Sequence, residues 1–440
     1  MSWTYHPDLL ATPVPRYTSY PTAAEFHDGV GEREMIEGLD AVPADAALSL
    51  YLHIPYCDQI CWYCGCNTGK ANKASRLASY LEALHAEIAL TGRRLAGRGR
   101  VTRIAFGGGS PNAIPPVEFA HLLDRLAAEF RLDQPELSVE LDPRTLSADW
   151  LKALAEAGVR RASLGVQTLS PAIQARIGRV QPEQMIRRAV AGLRDAGITS
   201  LNFDLMYGLP GQTSRDLGAT LASSVAMQPD RIALFGYAHV PHLIARQRRI
   251  DASDLPGAEA RFRQAEQGFL FLTDAGYRRV GFDHFALPHD PLAVAARLGT
   301  LRRNFQGFTD DRSDYLIGLG ASAITSFPDR LIQNEKNAGR YRMLTSGGRF
   351  PATRGILRTP ADRARARIIE ALLCRGTVDL GGIGGGEERS RLQPFADAGL
   401  VRLDDDRLFL LPGALPYARA IAACFDPYRQ SDPRRFSSAV

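Results

Sequence analysis

Cys57, Cys61 and Cys64 share one short segment, Tyr51-Leu-His-Ile-Pro-Tyr-Cys57-Asp-Gln-Ile-Cys61-Trp-Tyr-Cys64-Gly-Cys66-Asn67. Thiolates suit iron–sulfur clusters and zinc. A structural zinc site closes with four ligands, usually two CxxC pairs or cysteines with histidines. The CxxxCxxC spacing offers three, and a cubane held by three cysteines keeps one iron open to an outside ligand. The pattern therefore points to a working cluster. Cys66 follows Cys64 with only Gly65 between them, too short a span to reach the opposite corner of a cubane, and it is given no ligand role. Cys374 and Cys424 stand alone. A disulfide framework would spread its cysteines along a small secreted chain; a tight cluster in a large chain points to a metal.

Further polar residues follow at intervals. Phe106-Gly-Gly-Gly-Ser-Pro111 is a turn at which a ligand can approach bare backbone. Glu140, Gln167 and Asp204 fall near the ends of three later apolar runs. A carboxylate there can bind an ammonium or a ribose, or can be an ordinary solvated loop residue; the residues alone leave both readings open.

These groups need a frame. Short β-rich runs recur at Leu48–Ile54, Val101–Phe106, Leu137–Leu141, Arg161–Val166, Ser200–Met206, Arg231–Gly236 and Arg278–Phe282. Amphipathic stretches alternate with them, among them Ala74–Leu95, Pro116–Glu129 and Gln184–Ala196. Gly158, Gly197 and Gly276 follow three helices as left-handed stops. Such βα alternation predicts an α/β fold with a parallel sheet, a full or partial (β/α) barrel. The cysteines and the glycine turn then sit past the C-terminal ends of the first two strands, the face where βα barrels place their chemistry. Residues 1–47 read as an N-terminal arm with little periodicity, 48–349 as the barrel with the cluster loop, and 350–440 as a small helical domain. Within the last, Arg365–Leu373 and Pro416–Ala423 are helix candidates, and a hairpin near Gly399–Leu411 suggests a winged-helix shape whose default use is packing. Asn304–Ile324 reads as a mixed segment.

Composition adds bounds. Of 440 residues, 45% are hydrophobic and 23% charged, the ordinary mix of a globular protein able to bury a large core. No apolar run reaches the ~18 residues of a membrane span, and Met1–Tyr20 does not read as a secretory signal. The formal charge of +5 is modest. It is consistent with a solvated surface and with some arginines facing an acidic substrate.

On these residues the chain resembles the radical S-adenosyl-L-methionine (SAM) superfamily, and within it the oxygen-independent coproporphyrinogen III oxidases (coproporphyrinogen dehydrogenases). The similarity runs nearly end to end. It includes Arg16-Tyr-Thr-Ser-Tyr-Pro-Thr22, the Tyr51–Asn67 block with Cys66, the glycine turn, and Val139-Glu-Leu-Asp-Pro-Arg144. It continues through Leu164-Gly-Val-Gln167, Asn202-Phe-Asp-Leu-Met-Tyr-Gly-Leu-Pro210, Phe235-Gly-Tyr-Ala-His239, Arg303-Asn-Phe-Gln-Gly307 and Cys424-Phe-Asp.

The resemblance implies a partial (β/α) barrel with an N-terminal arm and a helical C-terminal domain. It implies oxidative decarboxylation of two propionates of coproporphyrinogen III to vinyls, giving protoporphyrinogen IX in anaerobic haem biosynthesis. One 4Fe-4S cluster on Cys57, Cys61 and Cys64 and two SAM molecules come with it. Carried over by motif, Tyr51, Gly108, Glu140 and Ile324 contact the SAM on the cluster. Tyr63, Gly109, Ser110, Gln167, Arg179, Asp204 and Ala238 contact the second, and Phe305 and Gln306 join Tyr51 near the reacting centre. Arg16, Arg302 and Arg303 are candidates for the four substrate carboxylates. Two departures stand out: Ser110-Pro-Asn112 replaces the usual Thr-Pro-Thr, and Gly236 stands where Asn is common. Serine keeps the hydroxyl, so its contact to the second SAM is expected to persist. The expected partners are the porphyrinogen and an unidentified electron donor, with no nucleic acid and no membrane, for a monomer in the cytoplasm. A related enzyme using the second SAM as a methyl donor is the alternative; the arm and the RNFQG segment argue against it.

Overall fold

The computed structural model describes residues 2–71 and 73–430. Met1 of the expected arm and residues 431–440 of the expected C-terminal domain lie outside the described residues.

The apolar runs form strands because both faces find cover. In β1 (Ala47–Ile54), Leu48, Leu50, Leu52 and Ile54 are all buried, the near-continuous burial of a parallel strand with helices outside and a filled interior. β2 (Arg100–Gly108), β3 (Leu132–Leu141), β4 (Arg161–Gln167), β5 (Ser200–Tyr207) and β6 (Arg231–Gly236) follow, each parallel to its neighbour. Helices Ala74–Leu95, Pro116–Glu129, Ala148–Glu156, Glu183–Asp195 and Ser214–Val225 connect them. Gly158, Gly197 and Gly276 take φ of +68°, +91° and +91°, the left-handed stops their positions predict.

Among the described residues the sheet has one further parallel strand, β7 (Tyr315–Leu319), on the free edge of β1. It lies in the segment read as mixed. Its sequence, YLIGL, carries the strand signal, but only long-range pairing with Leu48–Leu52 shows that it extends the barrel. Beyond it β8 (Ile324–Phe327), β9 (Arg330–Asn334) and β10 (Ala352–Leu357) pair antiparallel. At the other edge His284–Ala286 and Arg278–Val280 also run antiparallel, so the run expected at Arg278–Phe282 is an edge strand and not another βα unit. The sheet order has two ends and does not close, giving an open, partial barrel.

Three features add to the expected layout. The arm contains a helix, Glu32–Asp40, whose Met35 and Leu39 enter the barrel core. β10 keeps residues 352–357 in the large sheet, so the C-terminal unit begins at the helix Pro360–Arg375 rather than at residue 350. That unit also holds a helix at Gly386–Asp397 where only a glycine-rich separator was expected. The strands Thr377–Asp379, Val401–Asp404 and Arg407–Leu410 pair antiparallel in a small sheet of the same unit, and the last two make the expected hairpin. The unit shares one core with the arm: Trp3, Leu10, Val14, Tyr17 and Tyr20 pack with Ile369, Leu372, Tyr417 and Phe425.

The inner end of the barrel is closed by charge. Asp310 accepts from Arg103 at 3.0 and 2.9 Å and from Arg161 at 2.8 and 3.0 Å. Burial would raise that carboxyl, but the two guanidiniums hold it far below its ordinary range. Above this floor lies a cavity of about 340 Å³ opening toward the C-terminal strand ends.

Candidate functional site

Because the strands are parallel, their C-terminal ends share one rim. The cysteine loop leaves β1 onto this rim and is tied down by a two-residue pairing of Tyr56–Cys57 with Gly69–Lys70. Trp62 N–H donates to the Ile177 carbonyl at 3.0 Å, and the Arg249 guanidinium lies 4.5 Å above the Trp62 ring.

Each of the three cysteine sulfurs accepts a hydrogen bond. Thr68 Oγ1 donates to Cys57 Sγ at 3.3 Å. Arg179 Nη1 donates to Cys61 Sγ at 3.2 Å and Arg144 Nη2 at 3.5 Å. The Cys66 N–H donates to Cys64 Sγ at 3.4 Å. The Cys64 thiol is lowered to about 6, chiefly by hydrogen bonding from Cys66, whereas burial pushes Cys57 up to about 11. Among the described residues no three His, Cys, Asp or Glu side chains converge to hold a single metal ion. A loop with three spaced, hydrogen-bonded sulfurs and cations behind one of them fits an iron–sulfur cluster on Cys57, Cys61 and Cys64, whose thiolates need such donors. Cys66 is exposed and acts as a donor to Cys64.

Beside the loop the glycine turn ends β2. Gly108 has φ +111°, and a Cβ there would stand 2.6 Å from the His53 ring. A Cβ on Gly109 would meet the Tyr56 carbonyl oxygen at 2.5 Å. Only glycine lets the turn close on the cysteine loop. Gly108 N–H donates to Glu140 Oε2 at 3.2 Å. Glu140 lies deep in the barrel yet is wetted by the cavity. Its environment, and next Asp204, push its carboxyl up to about 7. Asp204, across the cavity, accepts from Ser163 Oγ at 3.0 Å and Asn202 Nδ2 at 2.9 Å, and burial raises it too. Tyr51 OH meets His53 Nδ1 at 3.2 Å, and burial lowers that imidazole to about 4.

Arg179 knits the rim together. It donates to Cys61, to the Gly165 carbonyl at 2.6 Å, to Gln181 Oε1 at 3.0 Å and to Asp142 at 3.3 Å. Burial works against its charge, but Tyr63, Asp142 and Cys61 outweigh that and hold its pKa up. Gln167 takes φ +64° at the end of β4, where the register with β5 slips.

The expected residues do not all meet. Cys57, Cys61, Cys64, Tyr51, Gly108, Gly109, Glu140, Gln167, Arg179 and Asp204 gather at or just inside the rim. Tyr63 and Ala238 are joined through Gln247, whose Nε2 donates to both carbonyls, at 2.8 and 3.1 Å. Gln306 lines the cavity from the Arg302–Asn304 and Gly307–Thr309 hairpin. Phe305 and Ile324 pack instead beside Phe26, Leu331 and Ile356. Ser110 is tied into the rim from within. Its buried hydroxyl donates to Asn112 Oδ1 at 2.6 Å, and Asn112 bridges to the Asp142 backbone at 2.9 Å. The two departures at 110 and 112 thus form one structural knot. Arg302 is paired with Glu370 at 3.0 Å, away from the cavity lining.

Sequence reasoning gave no role to Asp142, Arg144, His53, Gln181 and Gln247. Asp142 and Arg144 had a signal: both stand directly after β3, beside Glu140. The others become visible only through contacts across the fold.

The radical SAM superfamily pattern matches residues 51–223. The chain is 43% identical over 437 residues to the oxygen-independent coproporphyrinogen III oxidase of Bradyrhizobium diazoefficiens, covering 97% of each. It is 36% identical over 439 residues to the oxidase of the same name from Escherichia coli, covering 97% of this chain and 96% of that one. The solved structure of the Escherichia coli coproporphyrinogen III oxidase, described as a radical SAM enzyme, superposes with a TM-score of 0.89 at 35% identity, over 97% of this chain and all of the other.

Proposed function

The chain belongs to the oxygen-independent coproporphyrinogen III oxidases of the radical SAM superfamily, and on that premise we propose how its residues serve the reaction. The enzyme converts two propionates of coproporphyrinogen III into vinyls, giving protoporphyrinogen IX. Each conversion removes one hydrogen atom from the propionate carbon next to the ring, one carbon dioxide and one electron. A 4Fe-4S cluster with SAM supplies the one-electron chemistry that takes a hydrogen atom from carbon.

The chain's own residues do the rest. Cys57, Cys61 and Cys64 would hold the cluster, with Thr68, Arg144, Arg179 and the Cys66 N–H stabilising their negative charge. The Gly107–Gly109 backbone and Glu140 would take the ammonium and carboxylate end of one SAM. Asp204, Gln167, Arg179 and the Gln247-linked carbonyls of Tyr63 and Ala238 would bind a second. His53, neutral through burial, orients the Tyr51 hydroxyl. The Arg103 and Arg161 pairs with Asp310 close the inner end of the barrel. We take the enzyme to act as a cytoplasmic monomer with a separate electron donor and no nucleic-acid or membrane partner. Among the described residues no helix is long and apolar enough to cross a membrane.

The observation that carries this reading is the set of three hydrogen-bonded sulfurs on the rim facing Glu140 and Asp204. The test is anaerobic reconstitution with iron, sulfide, SAM and coproporphyrinogen III, read by product mass. Loss of two formate-equivalent masses (CO₂ plus two hydrogens each) is expected. A methylated product would favour the methyl-donor alternative and overturn the assignment.

A further inference from the structure

Behind the barrel cavity lies a smaller pocket of about 60 Å³, and Phe235 forms part of the wall of both. Arginines from three distant parts of the chain line it: Arg16 from the arm, Arg261 from the helix Ala258–Asp274, and Arg419 from the C-terminal unit. Arg303 stands alongside, its Nη2 donating to the Arg16 carbonyl at 3.0 Å and its Nε to the Tyr17 carbonyl at 3.1 Å. Among the described lining residues Asp283 is the only carboxylate, and His284 Nδ1 engages it at 2.6 Å.

Three lining guanidiniums thus surround a single carboxylate that His284 already engages. Burial, and then Arg16, lower Arg419 to about 10; burial also lowers Arg261 and Arg303. Arg261 spends Nη2 on the Tyr237 carbonyl at 2.6 Å, but its buried Nε has no partner. Buried donors without acceptors cost free energy that an anion can recover. A planar guanidinium fork matches a carboxylate. The volume, about 60 Å³, leaves room for a carboxylate. Gly236 keeps the entrance clear, because a Cβ there would stand 2.9 Å from the Tyr207 hydroxyl.

We propose that this pocket is a carboxylate subsite: Arg16, Arg261 and Arg419 grip one propionate of the substrate while another enters the barrel cavity past Phe235. The grip is a positioning device. It sets which side chain faces the reacting centre, and it needs arm, barrel and C-terminal unit together. It rests on the substrate reading given above.

Two measurements test it. The first is thermal unfolding of the full chain in sodium propionate against sodium chloride at equal ionic strength. Propionate should raise the Tm above chloride in the wild-type chain, and Arg261→Gln should lose that difference. The second is steady-state turnover of coproporphyrinogen III by the reconstituted holoenzyme. Arg261→Gln, Arg419→Gln and Arg16→Gln should each raise KM about 10- to 150-fold, the loss of one charge-assisted partner. Cluster absorption and SAM binding should be unchanged, and Arg261→Lys should recover part of the KM. Arg16 is exposed, so its variant folds even where the buried ones do not. Equal stabilisation of the wild-type chain by propionate and chloride would overturn the subsite, as would an unchanged KM in folded Gln variants. If the wild-type holoenzyme leaves coproporphyrinogen III untouched while propionate stabilisation depends on Arg261, the substrate reading fails and the subsite stands.

Discussion

Arg179→Gln separates the structural work of this arginine from its effect on the cluster. Arg179 is 6% exposed and faces Asp142 at 3.3 and 3.5 Å. Removing one partner of a buried ion pair costs about 3–5 kcal/mol when the other charge is stranded. Here Asp142 is not stranded: Arg144 keeps side-chain bonds to it at 2.6, 3.0 and 3.1 Å. The expected cost is therefore at the low end, about 3 kcal/mol, to be read by urea unfolding of the cluster-free chain. The second effect is electrostatic. Arg179 Nη1 donates to Cys61 Sγ at 3.2 Å, and a cation on a ligand sulfur favours the reduced, more negative cluster. If the lost bond is worth about 1.4 kcal/mol between the two redox states, the one-electron potential falls by about 60 mV. Redox titration of the holoenzyme followed by electron paramagnetic resonance measures this. A potential unchanged within about 10 mV, against that 60 mV expectation, in a variant with the normal cluster spectrum, would refute the coupling between Arg179 and the cluster.

Other outcomes follow from the same geometry. Cys57→Ala, Cys61→Ala and Cys64→Ala should each lose the 4Fe-4S absorption and SAM cleavage while Cys66→Ala retains them; loss of the cluster in Cys66→Ala with retention in one of the other three would reverse the ligand assignment. Burial, and next Asp204, push the Glu140 carboxyl up to about 7, and a ligand ammonium needs its charged form. SAM affinity should then be flat above pH 7 and fall up to tenfold per unit below it, and Glu140→Gln should abolish that slope; equilibrium binding across pH 5.5–8.5 reads it. Asp204→Ala should leave the cluster spectrum intact and stop decarboxylation or uncouple it from SAM cleavage. A binding stoichiometry of one SAM per chain together with full activity in that variant would refute the two-SAM site. Gly109→Ala places a methyl 2.5 Å from the Tyr56 carbonyl oxygen and should destabilise the cluster-free chain by roughly 2–4 kcal/mol in thermal or urea unfolding.

Features that depend on neighbours along the chain are legible in the residues alone. CxxxCxxC announced three thiolates on one loop, because ligand spacing within a loop is local. Short β-rich runs alternating with amphipathic helices announced parallel strands, because burial on both faces keeps strands such as β1 and β5 rich in apolar residues. Glycine stops at 158, 197 and 276 marked helix ends through a backbone conformation that other residues rarely adopt.

The rest follows from contacts between distant parts of the chain. Whether YLIGL at 315–319 joined the barrel or an edge hairpin depended on pairing with Leu48–Leu52, far away in the chain. The Ser110 hydroxyl turned inward because Asn112 and the Asp142 backbone offered it a buried network. Arg302 and Arg303 are adjacent and identical in type, yet the Arg302 side chain meets Glu370 and the Arg303 side chain meets the Arg16 and Tyr17 carbonyls of the arm. A charged side chain gains its role from the charges and solvent around it, and those come from elements that the linear sequence holds far apart. The arm, the helix Ala258–Asp274 and the C-terminal unit meet around one pocket because their apolar faces share a single core, and it is that burial which brings Arg16, Arg261 and Arg419 together.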